Sequence, residues 1–71
     1  MKITINGESK NYTQDQLSVT DLLKEEKVDM PEMVSVELNG SIVDRDQFSS
    51  TVVVDGNEVE FLYFMGGGNI A

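Results

Sequence analysis

Three Asx-Gly dipeptides, Asn6-Gly7, Asn39-Gly40 and Asp55-Gly56, interrupt stretches in which apolar and polar residues take turns. Asx-Gly supplies the positive φ angles of tight turns, and a two-residue alternation is the pattern of a strand with one face buried. The chain is therefore committed to short strands joined by tight turns. Ile3 and Ile5 alternate with Lys2, Thr4 and Asn6, so a strand runs into Asn6-Gly7 and a second follows over residues 8–12. From Met33 the period of two returns, with Val34, Val36 and Leu38 set against Ser35 and Glu37, and Asn39-Gly40 turns this strand back into Ile42-Val43. Val52-Val53-Val54 leads into Asp55-Gly56, and a last strand covers residues 58–64.

One stretch breaks the period. Ser18-Val19-Thr20-Asp21 has the spacing of a capping box, in which the Ser18 hydroxyl accepts the Asp21 amide and the Asp21 carboxylate reaches back to the Ser18 amide. Leu17 and Leu22 stand at the staple positions, Val19, Leu22 and Leu23 form one apolar face, and Lys24 and Lys27 suit the C-terminal end of a helix dipole. This predicts a helix over residues 19–27, ended before Pro31. Asp44-Arg45-Asp46-Gln47-Phe48 reads as a single helical turn pinned to the core by Phe48. The order predicts an α+β fold in which a mixed sheet of about five strands packs on one helix, the later strands closing the same sheet.

The 71 residues suit one small domain, and 13 Asp/Glu against 5 Lys/Arg give a formal net charge of −8 with neither Cys nor His. Disulfides, thiolate or imidazole catalysis and the usual transition-metal ligand sets are thereby excluded. The acidity speaks against a phosphate-backbone contact surface and against anionic lipid, so neither nucleic acid nor membrane is expected as a partner. Met1-Lys2-Ile3 opens directly into strand alternation, and no run approaches the length of a membrane span; a soluble cytoplasmic protein is expected.

Glu25-Glu26, Asp44/Asp46 and Glu58/Glu60 are pairs of carboxylates, read as solvated surface rather than as acid/base or metal sites. Arg45 has two readings, an ion pair with Asp44 or Asp46 and a contact with a partner. In the last strand, parity sends Val59, Phe61 and Tyr63 inward and leaves Leu62 and Phe64 outside with the glutamates, an apolar docking patch beside the chain end. That end, Met65-Gly66-Gly67-Gly68-Asn69-Ile70-Ala71, holds three of the six glycines. It is no phosphate-cradling loop, since neither Lys-Ser/Thr nor a helix follows; on the residues alone, a frayed terminus and a functional tail both remain open.

The whole pattern resembles the β-grasp sulfur carrier proteins, the ThiS-like and MoaD-like group. The similarity runs from residue 1 to 68 and is carried by Ser18-Val19-Thr20-Asp21-Leu22-Leu23, by Leu38-Asn39-Gly40-Ser41-Ile42-Val43-Asp44-Arg45-Asp46-Gln47-Phe48, and by Asp55-Gly56-Asn57-Glu58-Val59 leading to Gly67-Gly68. It implies a ubiquitin-like β-grasp domain over residues 1–65 and a flexible glycine-rich tail over 66–71. The family's terminal diglycine falls on Gly67-Gly68, with Gly66 and Met65 before it. The implied protein is a cosubstrate, not an enzyme. Its Gly68 carboxylate is adenylated by an E1-like adenylyltransferase of the ThiF/MoeB type, which uses ATP and Mg, and is then converted to a thiocarboxylate. Sulfur comes from a donor protein or sulfide and passes to an acceptor such as thiazole synthase, for thiamin thiazole or a related sulfur metabolite. No cofactor is bound by the carrier itself.

Asn69-Ile70-Ala71 follow the diglycine, so Gly68 as encoded is an amide. The resemblance implies cleavage between Gly68 and Asn69, as by a JAMM-type metalloprotease, with 69–71 removed. Leu62, Phe64, Met65 and Arg45 are the expected partner interface. The alternatives are a molybdopterin-synthase small subunit, a ubiquitin-like protein modifier and a non-reactive β-grasp interaction module.

Overall fold

A computed structural model describes residues 1–63. Strands β1 (Lys2–Ile5) and β2 (Glu8–Asn11) form a hairpin closed by Asn6 at φ 50° and Gly7 at φ 85°, the two left-handed positions of a type I′ turn. The next strand, β3 (Gln16–Ser18), leads into helix α1 (Val19–Glu25). A 3₁₀ turn at Pro31–Met33 precedes β4 (Val34–Leu38), which pairs with β5 (Ser41–Val43) through a second left-handed turn at Asn39 (φ 52°) and Gly40 (φ 87°). Another 3₁₀ turn, Arg45–Gln47, connects to β6 (Val52–Val54), and β7 (Glu58–Tyr63) is the last described strand.

Five strands form one mixed sheet in the order β2-β1-β7-β4-β5. The last strand thus lies in the middle, parallel to β1 and antiparallel to β4. Ile3 and Ile5 of β1, Val34 and Val36 of β4, and Val59 and Phe61 of β7 all point to one face, where Val19, Leu22 and Leu23 of α1 join them in the buried core with Leu17, Phe48 and Val53. The β-grasp expectation, one helix on a mixed five-stranded sheet, is met.

Two details differ from the sequence expectation. The order of elements places Val52–Val54 in the main sheet and predicts no strand over 16–18, whereas β3 and β6 pair with each other as a separate two-stranded ribbon. Each presents a single residue inward, Leu17 and Val53, which is too short a pattern to announce a strand. The expected turn at Asp55-Gly56 is present, with Gly56 at φ 88° and the Asn57 N–H bonded to the Val54 carbonyl at 3.1 Å, and it joins strands of two different sheets. The helix stops at Glu25 instead of residue 27. Lys27 adopts φ 56°, its N–H bonds to the Lys24 carbonyl and the Val28 N–H bonds to the Leu23 carbonyl, so a Schellman motif closes the helix with lysine where glycine is usual. At the other end the Ser18 hydroxyl accepts the Asp21 N–H at 3.1 Å, the first half of the expected capping box.

Candidate functional site

Strand parity in β7 divides the molecule into a packed face and an outward face. Val59 and Phe61 are buried as expected, and Leu62 is 41% exposed on the other side. Tyr63 corrects the expectation: it has the parity of Val59 and Phe61 yet is 51% exposed. It stands opposite Val34, the first residue of β4, so it lies at the end of the described sheet, where parity still fixes the side but the ring is only half covered. Phe64, Met65, Gly66, Gly67, Gly68 and Asn69 lie outside the described residues.

Around Leu62 the outward face is built by cross-strand neighbours. Leu62 faces Ser35, Glu60 faces Glu37, and Glu37 in turn faces Ile42 at the β5 edge, itself 59% exposed. Two like charges directly opposed, Glu37 and Glu60, weaken the sheet slightly, and Glu58 adds a third on the same face. Apolar side chains flanking a strip of carboxylates make a surface suited to a partner with an apolar patch rimmed by cations. Sequence parity identified Leu62; Ile42 and Glu37 were missed as its neighbours because their approach depends on the β4–β7 and β4–β5 registers.

Two asparagines fix the strand that carries this surface. Asn6 and Asn39 take the left-handed conformation of their turns, and each side-chain carbonyl also reaches β7: Asn39 Oδ1 accepts the Glu58 N–H at 2.9 Å and Asn6 Oδ1 accepts the Phe61 N–H at 2.8 Å. Glycine would satisfy either turn, but only an amide or carboxylate also caps a strand N–H. This second role was not legible locally, since Asn6 and Phe61 are 55 residues apart.

Arg45 makes no ion pair with Asp44 or Asp46 among the described residues. Its Nη1 donates to the Pro31 carbonyl and its Nη2 to the Val34 carbonyl, both at 2.8 Å, while its Cζ sits 5.3 Å from the centre of the Phe48 ring. The planar fork of a guanidinium matches two carbonyls at once, which explains an arginine at this position. Of the carboxylate pairs, Asp44/Asp46 and Glu58/Glu60 are solvated surface as expected. Glu26 is not: it accepts the Tyr12 hydroxyl and lies 3.7 Å from Lys10 Nζ, tying β2 to the end of α1.

Comparison with known proteins bears on this arrangement. Residues 3–68 match the family model described as the ThiS family. A thiazole synthase of Paramagnetospirillum magneticum is 39% identical over 69 residues; the match takes in 97% of this chain and about a fifth (21%) of that protein's length. A crystal structure of a thiamine biosynthesis protein (ThiS) from Geobacter metallireducens superposes with a TM-score of 0.87 at 49% identity, covering 96% of this chain and all of that one. A solution structure of a thiamine biosynthesis protein from the same organism gives 0.80 at 49% identity, covering 100% of this chain and 92% of that one. With the sheet order, the helix and a match that spans the central strand and the glycine run, the chain belongs to the ThiS family.

Proposed function

We propose that this chain is a sulfur carrier, a protein cosubstrate whose Gly68 carboxylate, once freed from Asn69, is adenylated and then thiocarboxylated. The observation that carries the reading is that the family match runs beyond β7 through the glycine run and ends at residue 68. Glycines suit the task physically. Without Cβ atoms they thread a narrow channel in extended form, and at about 3.3–3.6 Å per residue the segment 65–68 spans roughly 13–14 Å.

In this reading an E1-like adenylyltransferase supplies ATP and Mg. The Gly68 carboxylate oxygen attacks the α-phosphate, pyrophosphate leaves, and a sulfur nucleophile from a donor protein or sulfide then displaces AMP at the acyl carbon. The carrier contributes no catalytic group. The outward face, with Leu62 and, beyond the described residues, Phe64 and Met65, grips the enzyme. The acceptor is a thiazole synthase. In its favour, a protein bearing that name contains a stretch 39% identical to this chain as about a fifth of its own length.

A form ending at Gly68 and the form continuing to Ala71 are to be compared in ATP–pyrophosphate exchange with the adenylating enzyme. Exchange is expected from the first alone. A form ending at Gly67 should also fail, its acyl carbon stopping about 3.5 Å short. Equal exchange by the Gly68 and Ala71 forms would overturn cleavage as a requirement, and no exchange by any form would overturn carriage by adenylation.

A further inference from the structure

We infer that Asn6 and Arg45 are positioning residues for the reactive end of the chain: the Asn6 side chain extends the β7 ladder by one rung where β1 has stopped, and the Arg45 side chain holds the outer edge of β4, the strand with which the end of β7 still pairs. They thereby hold the last described residues of β7, the part of the strand that precedes the glycine run in sequence. The functional half of this inference rests on the carrier reading; the structural half does not.

The central strand overhangs β1 on one side, and together with β4 it overhangs β5 on the other. On one side β1 pairs with β7 only through Thr4–Glu58 and Ile5–Val59 and then turns away at Asn6-Gly7. The Asn6 N–H still bonds to the Val59 carbonyl at 2.9 Å, and the next donor along that edge, the Phe61 N–H, is met by Asn6 Oδ1 at 2.8 Å. A side chain continues the ladder for one rung beyond the backbone.

On the other side β7 pairs with β4 to the end, through Ser35–Leu62 and Val34–Tyr63, but β4 has itself lost its outer neighbour. β5 ends at Val43, opposite Val36. Continued by two residues, that register would set Arg45 opposite Val34, yet Arg45 begins a 3₁₀ turn and its backbone departs. Its side chain takes over. Because the Asn39 N–H bonds to the Glu58 carbonyl, odd residues of this run face β7 and even residues face β5, which points the Val34 carbonyl to the place a longer β5 would occupy. The Arg45 guanidinium fills that place, holding the Val34 and Pro31 carbonyls and lying over the buried Phe48 ring. Without Asn6 and Arg45, the last rungs of β7 would be the end of a two-stranded ribbon, and such ends fray.

The test uses Arg45→Lys, which cannot hold two carbonyls with one ammonium, and Asn6→Gly, which keeps the turn and deletes the cap. Amide hydrogen exchange reads the rungs. Arg45→Lys is expected to accelerate exchange at Ser35 and Leu62, and Asn6→Gly at Phe61, by about tenfold or more, with Val36 and Val59 in the full-width sheet changing less. In the form ending at Gly68, either variant should raise KM for pyrophosphate exchange about five- to tenfold at unchanged kcat, since a less ordered exit costs the same before and during the chemical step. A raised KM with unaltered exchange at these three amides would overturn the inference in favour of direct contact with the enzyme. Acceleration spread evenly over the sheet would overturn it in favour of general destabilisation. If the unsubstituted Gly68 form supports no pyrophosphate exchange, the carrier reading fails, and hydrogen exchange still decides whether the two side chains hold the rungs.

Discussion

Tyr12 shows what one hydroxyl contributes when its partner is a carboxylate. Partial burial, and then the hydrogen bond and charge of Glu26, push its pKa well above the ordinary tyrosine value, so it remains a donor to Glu26 throughout the neutral range. The folded state binds this proton more tightly than the unfolded chain does. Its contribution is therefore complete below the unfolded-state value of about 10 and is lost as pH rises above it. Denaturant melts of the parent and Tyr12→Phe between about pH 8 and 11.5 should show stabilities that differ at the low end and converge at the high end. The difference between the two proteins, rather than either curve, carries the result. Parallel curves would mean that Tyr12 and Glu26 are not coupled.

Among the elements, α1 has only seven residues and depends on its ends. Its left-handed C-terminal position is occupied by Lys27, where a Cβ costs about 1 kcal/mol, so Lys27→Gly is expected to raise stability by about 0.5–1 kcal/mol in urea melts despite the loss of a favourable end charge. A decrease would show that the side chain matters more than the backbone strain. Strand β7 sorts its substitutions by face. Phe61→Asp places an unpaired carboxylate in the core and should cost at least about 3 kcal/mol, enough to unfold much of so small a domain. Leu62→Asp and Tyr63→Asp, on exposed positions, should change stability by no more than about 0.5 kcal/mol. Leu62→Asp should instead weaken binding to the adenylating enzyme by about 1–2 kcal/mol, roughly five- to thirtyfold, because part of its surface is already covered before docking. Unfolding by Leu62→Asp, measured by the same melts, would remove it from the docking face.

For the whole molecule, a net charge of −8 on 71 residues and a strip of carboxylates at Glu37, Glu58 and Glu60 make self-repulsion a long-range term. Raising ionic strength from about 0.02 to 0.5 M shortens the screening length from roughly 20 to 4 Å, so the thermal midpoint should rise while the association rate with a basic partner face falls. A midpoint and a rate that both ignore salt would show the acidity to be only a solubility device. The sequence by itself determined the features whose causes are local: the two Asn-Gly hairpins, the inward set of β1, β4 and β7, the Ser18 cap and the glycine run with its blocked Gly68. Their physics acts within a few residues, through left-handed backbone angles, side-chain parity and a hydroxyl three positions from an amide. Only the tertiary structure decided that β7 lies between β1 and β4, that Gln16–Ser18 pairs with Val52–Val54, that the Tyr63 ring is left half exposed, and that the Asn6 and Arg45 side chains bond the Phe61 N–H and the Val34 carbonyl. Each of these depends on which backbone groups are left unpaired when strands of unequal length are laid side by side, and that remainder exists only once residues far apart in the chain have met.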